Sequence, residues 1–162
     1  MQNKIIKSLC SKKNLFKLTT GALLSSISFA TPFLMASCSF DLRASTIYGK
    51  IRGTRQDGIY SFKGIPYAKA PVGDLKFAPP HNPDHWKGIK KCTHYGDACI
   101  QEDAAGWNIH PQGEDCLNLN IWTPTLDKNQ KLPVYVYIHG GVFTIGSSSQ
   151  EVFDGHYLSN DG

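Results

Sequence analysis

The chain has 162 residues, room for one domain, and a formal net charge of +4 from 17 Lys/Arg against 13 Asp/Glu. Five lysines (Lys4, Lys7, Lys12, Lys13, Lys17) stand in the first 17 residues with no acid among them, which leaves 12 basic against 13 acidic residues from Cys38 onward. The basic balance therefore belongs to the leader and gives no support for a nucleic-acid partner.

From Leu18 to Phe40 the chain carries no charge and is mostly apolar, broken by serines, threonines and Pro32. A basic head followed by such a run is the layout of an export signal, and the polar interruptions make it a weak spanning helix. In Leu34-Met35-Ala36-Ser37-Cys38, small residues stand just before a cysteine. That order resembles a bacterial lipobox, in which Cys38 is lipidated and becomes the new N-terminus. Ordinary cleavage near Ser37 is the other reading, and both stay open. The expectation is an exported chain (secreted, periplasmic or a membrane-anchored lipoprotein) whose membrane contact would run only through lipid on Cys38. Residues 1–37 are read as the signal peptide, 38–45 as a short linker and 46–162 as a partial domain.

Residues 46–54 and 58–63 predict two short strands joined at Asp57-Gly58, a strong hairpin signal. Residues 64–89 are rich in proline and glycine and predict an ordered loop ending near Trp86, a packing anchor. Residues 92–116 read as a polar loop. Leu117-Asn118-Leu119-Asn120-Ile121-Trp122 alternates with period 2 and predicts a half-buried strand. After a polar turn, Pro133-Val134-Tyr135-Val136-Tyr137-Ile138 predicts a central strand buried on both faces. It breaks at His139-Gly140-Gly141, and Gly146-Ser147-Ser148-Ser149 follows.

Cys92, Cys99 and Cys116 lie beyond the leader. Export permits one disulfide among them with one thiol left over. A zinc site from Cys92, His94 and Cys99 has no recognised ligand spacing, so no metal and no cofactor are expected.

A strand that ends in His-Gly-Gly has a chemical use. Attack on an ester carbonyl develops negative charge on oxygen, and losing one aimed backbone N–H donor costs about 2.7–4 kcal/mol of barrier. Glycines let the backbone approach the substrate closely. A plain Gly-Gly turn is the bland alternative. The wider sequence weighs against it through Phe62-Lys63-Gly64-Ile65-Pro66-Tyr67-Ala68 with Ala70-Pro71-Val72-Gly73 and Leu75-Lys76-Phe77, through Glu114-Asp115-Cys116-Leu117 leading into Trp122, and through Pro133–Gly141 with Gly146-Ser147. In these segments, and from about Thr46 to Gly162, the chain resembles the N-terminal part of the type-B carboxylesterases, a family that includes cholinesterases and some lipases.

The resemblance implies an α/β fold: the N-terminal part of an α/β-hydrolase, with an antiparallel hairpin, then the first central strands of a mixed sheet, and incomplete. It implies that Gly140, Gly141 and Val142 form the oxyanion-hole loop, with Gly141 and Val142 as donors, although Gly or Ala is usual where Val142 stands. It implies a Cys99–Cys116 disulfide closing a loop of about 18 residues, contributing roughly 3 kcal/mol in the chain-entropy account. It pairs Glu114 with Lys76 in place of an arginine, a looser partner. Trp107 stands where cholinesterases present an aromatic, but the loop is shorter here and simple packing is the expectation.

The sequence contains no Gly-x-Ser-x-Gly. The resemblance places that elbow, then the acid and the histidine, beyond Gly162. His139 is the loop histidine rather than a general base. The expected function is that of an N-terminal portion of a serine carboxylesterase, inactive alone, whose small-molecule carboxylic ester would need a missing part. A non-catalytic esterase-like binding module is the alternative. A strand 133–138 left without its neighbours would expose a hydrophobic edge.

Overall fold

The computed structural model describes residues 41–102, 109 and 111–160. Six strands form two three-stranded sheets. The first sheet has the order β1 (Arg43–Ser45), β2 (Lys50–Arg52), β5 (Ile89–Lys91), with β1 antiparallel and β5 parallel to β2. The second has the order β3 (Thr54–Gln56), β4 (Ile59–Pro66), β6 (Asn118–Thr123), antiparallel throughout. A short helix, α1 (His156–Asn160), follows much later in the chain.

The hairpin falls where Asp57-Gly58 places it. Gln56 pairs with Ile59, and both loop residues take positive φ, 47° and 92°. That is the two-residue turn whose twist matches the flanking strands. The strand expected over 46–54 divides at Gly53, so β2 and β3 join different sheets. A Cβ on Gly53 would overlap the Ser61 carbonyl oxygen, so no side chain fits where the two sheets meet. β1 lies in the segment read as a linker, and its pairing with β2 extends the ordered structure back to Arg43.

A small core lies between the sheets. Ile51 of β2, Phe62 and Ile65 of β4 and Cys92 are buried together, with Ala44, Tyr60, Trp86 and Leu126 packed around them. Trp86 is the anchor the sequence suggests. Its indole N–H donates to the Lys50 carbonyl at 2.8 Å. Burial pushes the Cys92 thiol pKa up, which keeps it protonated and unreactive.

β4 carries a bulge between Phe62 and Ile65. The freed N–H groups are not left unpaired: Lys63 donates to the Cys92 carbonyl at 2.8 Å and Gly64 to the Asn120 Oδ1 at 2.9 Å. Lys63 then reaches the Asp154 carboxylate at 3.6 Å and lies 4.2 Å over the Tyr95 ring. Asp154 in turn accepts from the His156 N–H at the start of α1.

β6 alternates as expected. Asn118, Asn120 and Trp122 point to the covered side, whereas Leu119 and Ile121 are exposed. The asparagines tolerate this because their amides are satisfied. Asn118 donates to the Asp97 and Cys116 carbonyls, and Asn120 bonds Gly64 and Ser148.

Residues 133–138 correct the expectation of a buried central strand. Among the described residues this run makes no backbone ladder, and Val134 and Ile138 are each 85% exposed. The composition is that of a strand covered on both faces, but no described strand lies alongside to pair with it. Tyr137 stacks on Phe153 at 4.9 Å between ring centroids.

Candidate functional site

The glycine-rich loop begins where the extended run ends. The Gly141 carbonyl accepts the Thr144 N–H and the Ile145 N–H, both at 3.0 Å, and the Thr144 hydroxyl at 3.2 Å. These bonds fold residues 141–145 into one tight turn. Gly141 has φ 131°, and a Cβ there would overlap the Ile145 carbonyl. The turn therefore needs glycine at this position. Among the described residues, the N–H groups of Gly141 and Val142 donate to no protein acceptor. They are two adjacent donors whose carbonyl neighbours are already engaged.

Val142 and Phe143 follow at φ 56° and 62°, left-handed for both, with their side chains in solvent. A β-branched residue here is a true outlier. The departure noted at Val142 is thus a backbone cost as well as a matter of bulk.

The loop closes on itself at Gly146, which is buried. A Cβ on Gly146 would lie 2.5 Å from the Gly140 oxygen and 2.8 Å from His139 Nδ1. His139 Nδ1 lies 2.8 Å from the Gly140 oxygen, so the ring belongs to the loop's own frame. Ser147 is buried, and its hydroxyl is shared with Ser149 at 2.8 Å. That partnership fits a loop-capping serine.

Cys99 and Cys116 form the disulfide, with Cα atoms 4.9 Å apart. Cys99 sulfur is therefore not available beside Cys92 and His94. Lys76 Nζ lies 3.2 Å from Glu114 Oε1, the pairing the resemblance gave, with both groups about half exposed. Such a pair contributes roughly 0–1 kcal/mol. Cys38 and Trp107 lie outside the described residues.

Sequence reasoning missed the polar residues that hold the loop. Gln101 spans the disulfide loop and Gly146. Asn120 ties the loop exit to β6, with its Nδ2 3.2 Å from the Ser148 carbonyl and 3.1 Å from the Ser148 hydroxyl. The available signals were a glutamine two residues after a bridging cysteine and asparagines at alternate positions of a strand.

With this geometry in view, the comparisons are decisive. Residues 41–162 match the family described as the carboxylesterase family. The chain belongs to the carboxylesterase family. Its relatives include para-nitrobenzyl esterase of Bacillus subtilis, 42% identical over 123 residues, covering 73% of this chain and 25% of that protein. Acetylcholinesterase of Electrophorus electricus is 34% identical over 149 residues, covering 83% of this chain and 24% of the relative. Among solved structures, a Geobacillus stearothermophilus carboxylesterase aligns with TM-score 0.68 and 40% identity, covering 75% of this chain and 24% of its own. The described sheets are a portion of the α/β-hydrolase fold of these esterases. The chain spans about a quarter of the length of the curated relatives it matches.

Val142→Gly removes a left-handed penalty of roughly 1–2 kcal/mol and adds roughly 0.4–1 kcal/mol of unfolded-state entropy. The expected net gain is about 0.5–1 kcal/mol, read as a higher urea midpoint. A lower midpoint would show that the valine is not strained.

Proposed function

We propose that this chain is the oxyanion-loop portion of an exported serine carboxylesterase acting on small-molecule carboxylic esters. The observation that carries the reading is the turn at Gly140–Gly146, which leaves two adjacent N–H groups unclaimed directly after the extended run 133–138. Family membership gives that turn its chemical meaning. Several relatives are named for ester hydrolysis, among them para-nitrobenzyl esterase of Bacillus subtilis.

In the reaction a serine oxygen adds to the ester carbonyl as its proton passes to a histidine. The former carbonyl oxygen takes the negative charge between the N–H groups of Gly141 and Val142. Collapse of the tetrahedral intermediate expels the alcohol, which takes up that proton, and water then hydrolyses the acyl-enzyme. The sequence holds no Gly-x-Ser-x-Gly, so this reading takes the serine from polypeptide outside these 162 residues, with the acid and histidine that the family resemblance places after it.

The chain alone is expected to hydrolyse a p-nitrophenyl ester no faster than buffer. Joined by polypeptide carrying the family's serine elbow, acid and histidine, it is expected to give turnover blocked by a serine-reactive organophosphate. Organophosphate-sensitive turnover by the chain alone would overturn the divided site. No turnover from the joined protein, together with retained ester binding, would favour a non-catalytic binding module.

Export follows from the basic, then uncharged leader. Mass spectrometry of the N-terminus of cell-derived protein is expected to find residues 1–37 removed. A diacylglycerol on Cys38 would mark an anchored lipoprotein and an unmodified terminus a released one. An intact Met1 terminus would contradict export by cleavage.

A further inference from the structure

Gln101 makes two directed side-chain contacts to the glycine loop, both to Gly146. Its side-chain Oε1 accepts the Gly146 N–H at 2.7 Å, and its Nε2 donates to the Gly146 carbonyl at 3.0 Å. The amide thus reads both backbone groups of one residue, as a neighbouring strand would. The second Nε2 hydrogen goes to the Cys99 carbonyl at 2.9 Å. The backbone N–H of Gln101 donates to Gln112 Oε1 at 2.9 Å. Both arms of the disulfide loop therefore meet at this residue, Cys99 at its side chain and Gln112 at its backbone N–H, and Ala98 also bridges to Gln112 beside the Cys99–Cys116 bond.

The chemistry singles out a primary amide. The site must accept one proton and donate two from a single planar group, which neither carboxylate nor ammonium can do. The amide orientation is fixed by its partners. Turned over, Nε2 would face an N–H, and the oxygen would face two carbonyls.

We propose that Gln101 is a positioning residue for the oxyanion loop: it holds Gly146 against Gly140 and His139, and so sets where the Gly141 and Val142 N–H groups point. The mechanical path is short. Gly146 packs on the Gly140 carbonyl, and Gly141 to Ile145 is one hydrogen-bonded turn between them. A loop with two residues in left-handed backbone is costly to hold, so a fixed exit matters more here than in a relaxed turn. The catalytic meaning of this positioning rests on the ester-hydrolase reading, whereas the clasp itself does not.

The test uses the full 162-residue chain without substrate. Amide exchange at Gly146 and the amide NMR signals of Gly141 and Val142 are compared in wild type, Gln101→Met and Gln101→Glu. Methionine keeps length and loses every bond. Gly146 exchange is expected to quicken about three- to tenfold, with Gly141 and Val142 signals displaced and the urea midpoint modestly lowered. In the Glu variant the ionised carboxylate accepts from Gly146 but cannot donate. Its Gly146 protection factor is expected to rise, and the Gly141 and Val142 signals to return toward wild type, as pH falls through the carboxyl range and the group regains a proton to donate. Wild type is expected to show no such titration.

Unchanged Gly141 and Val142 signals in the Met variant, or no pH rescue in the Glu variant, would overturn the proposal. Should the Met variant fail to fold, the Glu titration decides alone. Absence of ester turnover in the joined protein would sink the function and leave these readouts standing, so the two failures are distinct.

Discussion

Asn120 reaches from β6 in two directions, and most of the described architecture is organised around that amide. Its oxygen takes the Gly64 N–H that the β4 bulge frees, and its nitrogen holds Ser148 at the exit of the glycine loop. Leaving this half-buried amide without its partners would cost free energy. The bulge, the strand and the loop exit therefore share one side chain. Asn118 repeats the arrangement two residues earlier, and Gln101 extends it across the disulfide loop. Side-chain amides here do what a backbone ladder does elsewhere, because the loops that meet at this point have no strand geometry to offer.

This polar scaffold explains why β6 presents its apolar residues outward. The covered face is filled by amides with fixed partners, so Leu119 and Ile121 are left for whatever packs on the other side. Residues 132–138 also leave apolar side chains exposed. The composition of that run makes sense only as the middle of a wider sheet. The family relation supplies the wider sheet as the context in which such residues are ordinarily covered, since this chain spans about a quarter of its relatives.

Local chemistry made much of this legible in advance. Asp57-Gly58 set the hairpin, Trp86 was marked as an anchor by its place at the end of a proline-rich loop, and the alternation of residues 117–122 gave a strand. The resemblance supplied the Cys99–Cys116 bond and the Lys76–Glu114 pair. Which face of β6 would be buried could not be read, because period 2 carries no label for inside and the asparagines' partners are distant in sequence. The division at Gly53 was hidden for a similar reason: the obstacle is the Ser61 carbonyl on another strand. In the loop, glycine spacing pointed to the turn, and the departure at Val142 was visible. Its left-handed backbone was not, nor was the clasp by Gln101, which depends on a contact 45 residues along the chain.

The central claim is that residues 133–138 are an extended run with no paired strand among the described residues, followed by a turn held at its exit by Gln101 and Asn120. Amide hydrogen exchange resolved to single residues tests it most directly. The account predicts near-unprotected amides over Val134–Ile138 beside clearly protected amides at Phe62, Lys63 and Gly146 in the same sample. Slow exchange across Val134–Ile138, matching that of β4, would contradict it, because it would mean the run is already paired.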